Sequence, residues 1–244
     1  MNRNNTIGIV GRITAPVRLI VDAQEWEQKT YETTLTRTRP SGVEDTYTLQ
    51  FDAAAAGTEE ALETLAEGAD VLIGGEIRTE DVKDPKPEEN RTKIYIHAEV
   101  ITQNNPPVKS QNEVSLCGYI CKQAKVRTTN RRLPNGRKIK TADTIVAVST
   151  PWGTSYIPCI CFGWAAIYAA TLKKGDYVEI SGRFQSRKYK KRIEGYELLY
   201  KMTTREVCVV KIKAAEKPKN ETEKPENETE KQENETEKQE GEAE

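Results

Sequence analysis

A repeat at one constant offset of 107 residues constrains this chain more than any other feature. Asn5, Ile9, Gly11 and Ile13 fall on Asn112, Leu116, Gly118 and Ile120. Leu65, Gly68, Val71, Ile73, Gly75 and Ile77 fall on Leu172, Gly175, Val178, Ile180, Gly182 and Phe184, and Glu99-Val100 falls on Glu206-Val207. Three separated stretches that share one offset imply two copies of one fold, although the matching inside 14–64 requires gaps. Between the copies, Gln103-Asn-Asn-Pro-Pro-Val-Lys-Ser-Gln111 carries amides and two prolines where strand-like sequence stops. The expected units are a first domain over 1–103, a linker over 104–111, a second domain over 112–213 and a tail over 214–244.

Each copy reads as one strand, two strands, a short helix, then two more strands. In the second copy Val114, Leu116, Gly118 and Ile120 alternate with polar or small residues, as a half-buried strand requires. Ala142 to Ser149 and Ser155 to Phe162 follow, joined through Ser149-Thr-Pro-Trp-Gly-Thr154. Trp164 to Lys174 is Ala-rich and amphipathic, with Gly175 as a stop signal. Asp176 to Ser186 alternates again, and Leu199 to Ile212 closes the unit. A helix between the third and fourth of five strands is the order of an OB-fold, a small barrel whose face and loops commonly bind oligonucleotides. The expected fold class is therefore all-β with one short helix per domain: two tandem OB-fold five-stranded barrels and a disordered acidic tail.

The net charge of −1 conceals a segregation. Residues 1–108 carry 11 basic and 19 acidic side chains, 109–215 carry 21 and 7, and 216–244 carry 5 and 12. A basic middle segment between acidic ends points to a polyanion partner. The tail repeats Asn-Glu-Thr-Glu-Lys-(Pro/Gln)-Glu three times from Asn220, but no repeat position is apolar, so it has no coiled-coil seam. The polar start shows no secretory signal, which makes the Asn-Glu-Thr glycosylation matches accidental and the expected localisation cytoplasmic. Thr144 to Leu172 lacks charge, yet Pro151, Gly153, Pro158 and Gly163 interrupt it, so no membrane partner is expected.

Signals for an enzyme are missing. The one histidine, His97, sits in the apolar strand Ile94-Tyr-Ile-His-Ala-Glu-Val100, and no phosphate-binding loop or nucleophile elbow occurs. Cys117 and Cys121 share a strand face, as do Cys159 and Cys161, but their spacings are not those of a zinc ribbon. With Cys208 they are read as reduced, buried thiols, and neither a metal nor a cofactor is expected.

Basic and aromatic residues interleave where OB-fold loops belong. Arg127-Thr-Thr-Asn-Arg-Arg-Leu-Pro-Asn-Gly-Arg-Lys-Ile-Lys140 supplies Arg131, Arg132, Arg137, Lys138 and Lys140. The expected loop between the fourth and fifth strands supplies Arg183, Arg187, Lys188, Lys190, Lys191 and Arg192, followed by Tyr196 and Tyr200. Positive charge follows a phosphate backbone, and flat rings stack on unpaired bases at ~1–3 kcal/mol per base. A solvated charged hairpin would explain a basic loop by itself. Trp152, in a hairpin loop with little core to fill, and Tyr156 and Phe162, on one face of one strand, favour single strands. Trp164 suits a packing role and a base contact equally.

Residues 112–212 resemble the bacterial single-stranded DNA-binding proteins. The likeness lies in Asn112-Glu-Val-Ser-Leu-Cys-Gly-Tyr-Ile120, Leu133-Pro-Asn-Gly136, Tyr156-Ile-Pro-Cys-Ile-Cys-Phe-Gly163, Leu172-Lys-Lys-Gly175, Gly182-Arg-Phe-Gln-Ser-Arg-Lys-Tyr189 and Glu206-Val. The related primosomal replication protein shares this fold. The resemblance implies that Trp152, Tyr156, Phe162 and Tyr189 stack on bases while Arg183, Arg187 and Lys188 hold the backbone. It also implies sequence-nonspecific coating and protection of single-stranded DNA in replication, recombination and repair, by a homo-oligomer in which two chains supply four barrels. Alternatives are a primosomal restart factor, an RNA-binding OB module and a protein-interaction scaffold. Two features depart from the family pattern. The tail ends Gln239-Glu-Gly-Glu-Ala-Glu244 without the apolar tip that docks on replication and repair proteins, and the first domain carries net −8, suiting a structural role. An acidic tail should compete weakly with DNA for the basic barrel, so deleting 216–244 is expected to tighten binding of a dT oligomer at low salt and to matter less as salt rises.

Overall fold

The computed structural model describes residues 4–21, 29–57, 65–86, 89–103, 110–132, 134–192 and 199–216. The first domain is built from β1 (Asn5–Ile13), β2 (Arg18–Val21), β3 (Thr30–Thr38), β4 (Glu44–Asp52), β5 (Asp70–Asp81) and β6 (Thr92–Gln103). The second contains β7 (Asn112–Lys122), β8 (Arg127–Arg132), β9 (Lys138–Thr150), β10 (Gly153–Phe162), α1 (Trp164–Ala169), β11 (Tyr177–Arg192) and β12 (Leu199–Ala214). In each domain five strands close on themselves: β1-β3-β4-β6-β5 returns to β1, and β7-β9-β10-β12-β11 returns to β7. The third and fifth strands of each ring run parallel, β4 with β6 and β10 with β12, and the other neighbours are antiparallel. This is the OB-fold order twice, each barrel with a short extra edge strand, β2 or β8.

The barrels are joined by backbone. One edge of β1 is divided: Asn5–Ile9 pairs antiparallel with β7, while Arg12 and Ile13 pair with β3 to close their own barrel. β7 is divided the same way, pairing β1 through Asn112–Leu116 and β9 through Tyr119–Lys122. Ile7 lies opposite Val114, its own counterpart in the repeat, and the pairs Asn5–Leu116 and Ile9–Asn112 exchange under the 107-residue offset. The junction is thus a two-fold, isologous contact formed within one chain.

Buried polar residues reinforce the repeat. The Asn5 side chain donates to the Ile77 carbonyl at 2.7 Å and accepts its N–H at 3.1 Å, and Asn112 does the same with Phe184 at 2.7 and 2.9 Å. Across the junction the Tyr47 and Phe184 rings stack with centroids 5.1 Å apart, and the Tyr47 hydroxyl donates to the Phe184 carbonyl at 2.7 Å. Asp45 accepts the Ser186 N–H at 2.7 Å and is paired with Arg39 at 2.5 Å, so this buried carboxylate has the charged partner it needs.

Three expectations from sequence change. Arg183–Arg192 is not a loop but the outer half of the 16-residue β11, laddered to 199–208, because backbone hydrogen bonding does not depend on side-chain charge. Arg127–Arg132 is likewise a strand, paired to the start of β9. The helix ends at Ala169 rather than running to Lys174: the Thr171 hydroxyl donates to the Tyr168 carbonyl at 2.8 Å, so side chain competes with backbone at that turn. Among the described residues no helix is long and apolar enough to cross a membrane.

Both barrels bulge at one repeated glycine, Gly75 on β5 and Gly182 on β11, where the ladder slips by one residue. A Cβ at Gly75 would stand 2.1 Å from the His97 carbonyl oxygen, whereas a Cβ at the neighbouring Gly74 meets nothing within 4 Å. Gly75→Ala should therefore cost about 3 kcal/mol or more and Gly74→Ala under about 1 kcal/mol. Urea-unfolding midpoints of the two variants check this, and equal midpoints would refute the bulge argument.

Candidate nucleic-acid interface

The second barrel presents aromatic rings that its core does not use. Trp152 caps the turn between β9 and β10 and is 77% exposed, its backbone N–H donating to the Thr150 hydroxyl at 3.3 Å. Along β10, Ile157, Cys159 and Cys161 point inward, leaving Tyr156 and Phe162 on the outer face at 55% and 41% exposure. Six residues of strand separate them by roughly 20 Å. Trp164, the first residue of α1, is 84% exposed, so its packing role is excluded and a surface role remains. Tyr189 on β11 is half-buried, with its hydroxyl 3.2 Å from the Asn90 amide oxygen and the Arg187 guanidinium 6.0 Å from its ring centre.

Cations flank this platform. In the sheet order β11-β12-β10-β9-β8 the aromatic strand β10 lies centrally, with basic strands outside it. Arg183, Lys188 and Lys190 on β11 and Arg132, Arg137, Lys138 and Lys140 on the β8–β9 hairpin are exposed, and Lys191 is half-buried. Arg187 differs from these: it is tied to the buried Glu206 at 3.2 Å, which leaves it less free to meet phosphate. Arg132 donates to the Gly136 carbonyl at 2.8 Å and stiffens the hairpin turn. The side chains of Arg131 and Arg192, and those of Tyr196 and Tyr200, lie outside the described residues.

Matching the two barrels ladder by ladder shows what the first domain lacks. Gly42, Thr46, Asp52 and Val82 stand where Trp152, Tyr156, Phe162 and Tyr189 stand. Glu76, Glu80, Asp81 and Asp84 stand at the positions of Arg183, Arg187, Lys188 and Lys191. At these positions the first barrel keeps the architecture but has neither the rings nor the positive charge.

Sequence reasoning missed the first domain's hand in the platform. The Arg78 guanidinium lies 5.3 Å from the Trp152 ring centre, the Thr79 hydroxyl accepts the Tyr156 N–H at 2.8 Å, and Asn90 meets Tyr189. These partners are 74 to 99 residues apart, and although the Thr79 contacts have a mate at Ser186 with Asp45 and Thr46, nothing in the sequence shows which strands meet at the junction.

The thiols are free, with Cys159, Cys161 and Cys208 buried; burial pushes Cys161 up to about 12 and Cys159 well above the usual thiol value, which keeps both neutral. Among the described residues no group of three His, Cys, Asp or Glu side chains could hold a metal. His97, half-buried on β6, is held down to about 4 by burial and then by the Arg78 charge. Because this folded value lies below 6.5, the unfolded chain binds the proton first as pH falls, and stability drops between about pH 7 and pH 4. From pH 7 to pH 5 the loss should be about 1–2 kcal/mol by urea unfolding, and a His97→Gln variant should show a flatter dependence over that range.

Residues 111–215 match the sequence pattern of the Single-strand binding protein family. No curated protein sequence gives a significant match. Among solved structures, the wild-type single-stranded DNA binding protein from Thermus aquaticus superimposes with a TM-score of 0.61 at 17% identity, covering 88% of this chain and 95% of that one. A deletion variant of the same Thermus aquaticus protein gives 0.60 at 17% identity, covering 90% and 98%. The likeness therefore extends over both barrels and their junction, and at this identity it concerns the fold.

Proposed function

We propose that this protein binds and coats single-stranded DNA without strong sequence preference, using the outer face of its second barrel. The observation that carries the reading is the run of exposed rings, Trp152, Tyr156 and Phe162, on and beside one strand between two basic hairpins. Apolar rings of that size left in water cost solvation energy with no return in packing, and unstacked bases are the surface that recovers it. Lys188, Lys190, Lys138 and Lys140 release counterions from the backbone, while bases enter one at a time because duplex stacking hides their faces. The family match over 111–215 supports this reading. The mechanism is capture: a strand held on the platform cannot re-pair, which suits replication, recombination and repair. Two chains supplying four barrels form the working assembly, and the acidic tail competes electrostatically with the strand.

Tryptophan fluorescence during titration with dT oligomers, across salt concentrations and against a duplex control, tests the proposal. Quenching by the single strand, weak response to duplex and a negative log–log salt slope are expected. Trp152→Ala should weaken binding about 10-fold or more, and Lys188→Ala should weaken it with a slope smaller by about one. Absence of dT binding in an independent gel shift would overturn the reading.

A further inference from the structure

Two of the four rings assigned to bases, and the backbone of a third, are contacted from across the domain junction, by the barrel that carries no rings at the matching positions. Arg78 lies over one face of the Trp152 indole, and its own guanidinium is fixed by the buried Glu76 at 2.5 Å. The Thr79 hydroxyl accepts the Tyr156 N–H at 2.8 Å, while the Thr79 N–H donates to the Ser155 hydroxyl at 3.3 Å, so β5 clips β10 where its first ring projects. Asn90 accepts the Tyr189 hydroxyl at 3.2 Å and donates to the Thr203 carbonyl at 2.6 Å, spanning both strands of the β11–β12 hairpin with one amide.

We infer that the first barrel is a positioning domain for the second: Arg78, Thr79 and Asn90 preset Trp152, β10 at Tyr156, and Tyr189 in the arrangement that receives bases. The inference rests on the proposed function and adds to it the role of the acidic copy. A large ring on an exposed turn otherwise samples several rotamers, and ordering it must be supplied from the binding energy. With a cation beneath one face of the indole, the opposite face is left for a base. The Arg78 charge is directed at Glu76, which separates it from Lys188 and its neighbours: it acts through Trp152 and not on phosphate. Affinity for single strands is then a property of the paired barrels and not of the basic barrel by itself.

The test uses the full chain and the anisotropy of a labelled dT oligomer, a signal that does not depend on the tryptophans. Arg78→Gln should weaken binding about 3- to 10-fold at every salt concentration with the log–log slope unchanged, and should cause no further loss in a Trp152→Leu background. Because that variant leaves Glu76 without its partner, Asn90→Ala provides an independent arm. It should weaken binding about 2- to 5-fold, Tyr189→Phe should do the same, and the double variant should be no worse than either. Wild-type affinity in both Arg78→Gln and Asn90→Ala, additive losses in the double variants, or a slope reduced by about one for Arg78→Gln would each overturn the inference. If the wild type itself failed to bind dT, the proposed function would fall, and the inference with it.

Discussion

The antiparallel ladder between β1 and β7 is the contact on which the rest depends. Each first strand uses half of one edge to close its own barrel and the other half to hold its partner, so neither half can slip without opening both. A one-residue shift would also turn Ile7, Ile9, Val114 and Leu116 from the core to solvent. Register at this ladder fixes where β5 meets β10 and where β4 meets β11. Those secondary contacts repeat across the two-fold: Ser186 bonds to Asp45 and Thr46 much as Thr79 bonds to Ser155 and Tyr156.

Symmetry of the backbone coexists with asymmetry of the surface. Inside the barrels the repeat is retained down to the asparagine that bridges to the fourth strand and the glycine at its bulge. Outside, rings and cations gather on one copy and carboxylates on the other. The inward set is held by packing density and by buried hydrogen bonds, where a change costs several kcal/mol, whereas outward positions are nearly free to vary.

Much of this was legible in the sequence. Period-two alternation located β7, β10 and the inner half of β11, and the offset of 107 at the first and fourth strands of each ring disclosed the second barrel as a copy of the first; at the last strand the ladders shift the offset to 111, so Glu206 and Val207 take the places of Tyr95 and Ile96 and not of Glu99 and Val100. Trp152 stood out because a turn offers a large ring no core. Charge misled at Arg183–Arg192, where a run of cations looks like a loop but sits on a strand paired along its whole length. Helix length was overestimated because composition does not report the Thr171 hydroxyl bond. The contacts of Arg78, Thr79 and Asn90 were beyond reach: each joins residues distant in sequence through a junction whose register only the folded chain defines.

Fusing the two halves of this two-fold into one polypeptide has a consequence for how they can change. In a pair of identical subunits every substitution appears twice, so a mutation that suits a binding face must also be tolerated on its mate. Here the mates have separate codons. Gly42 can stay a bare turn while Trp152 presents an indole, and Glu76 can serve as an anchor where Arg183 faces solvent. Covalent linkage also keeps the halves together at any dilution, since their association is intramolecular. Two surfaces built on one backbone plan can thereby be specialised independently.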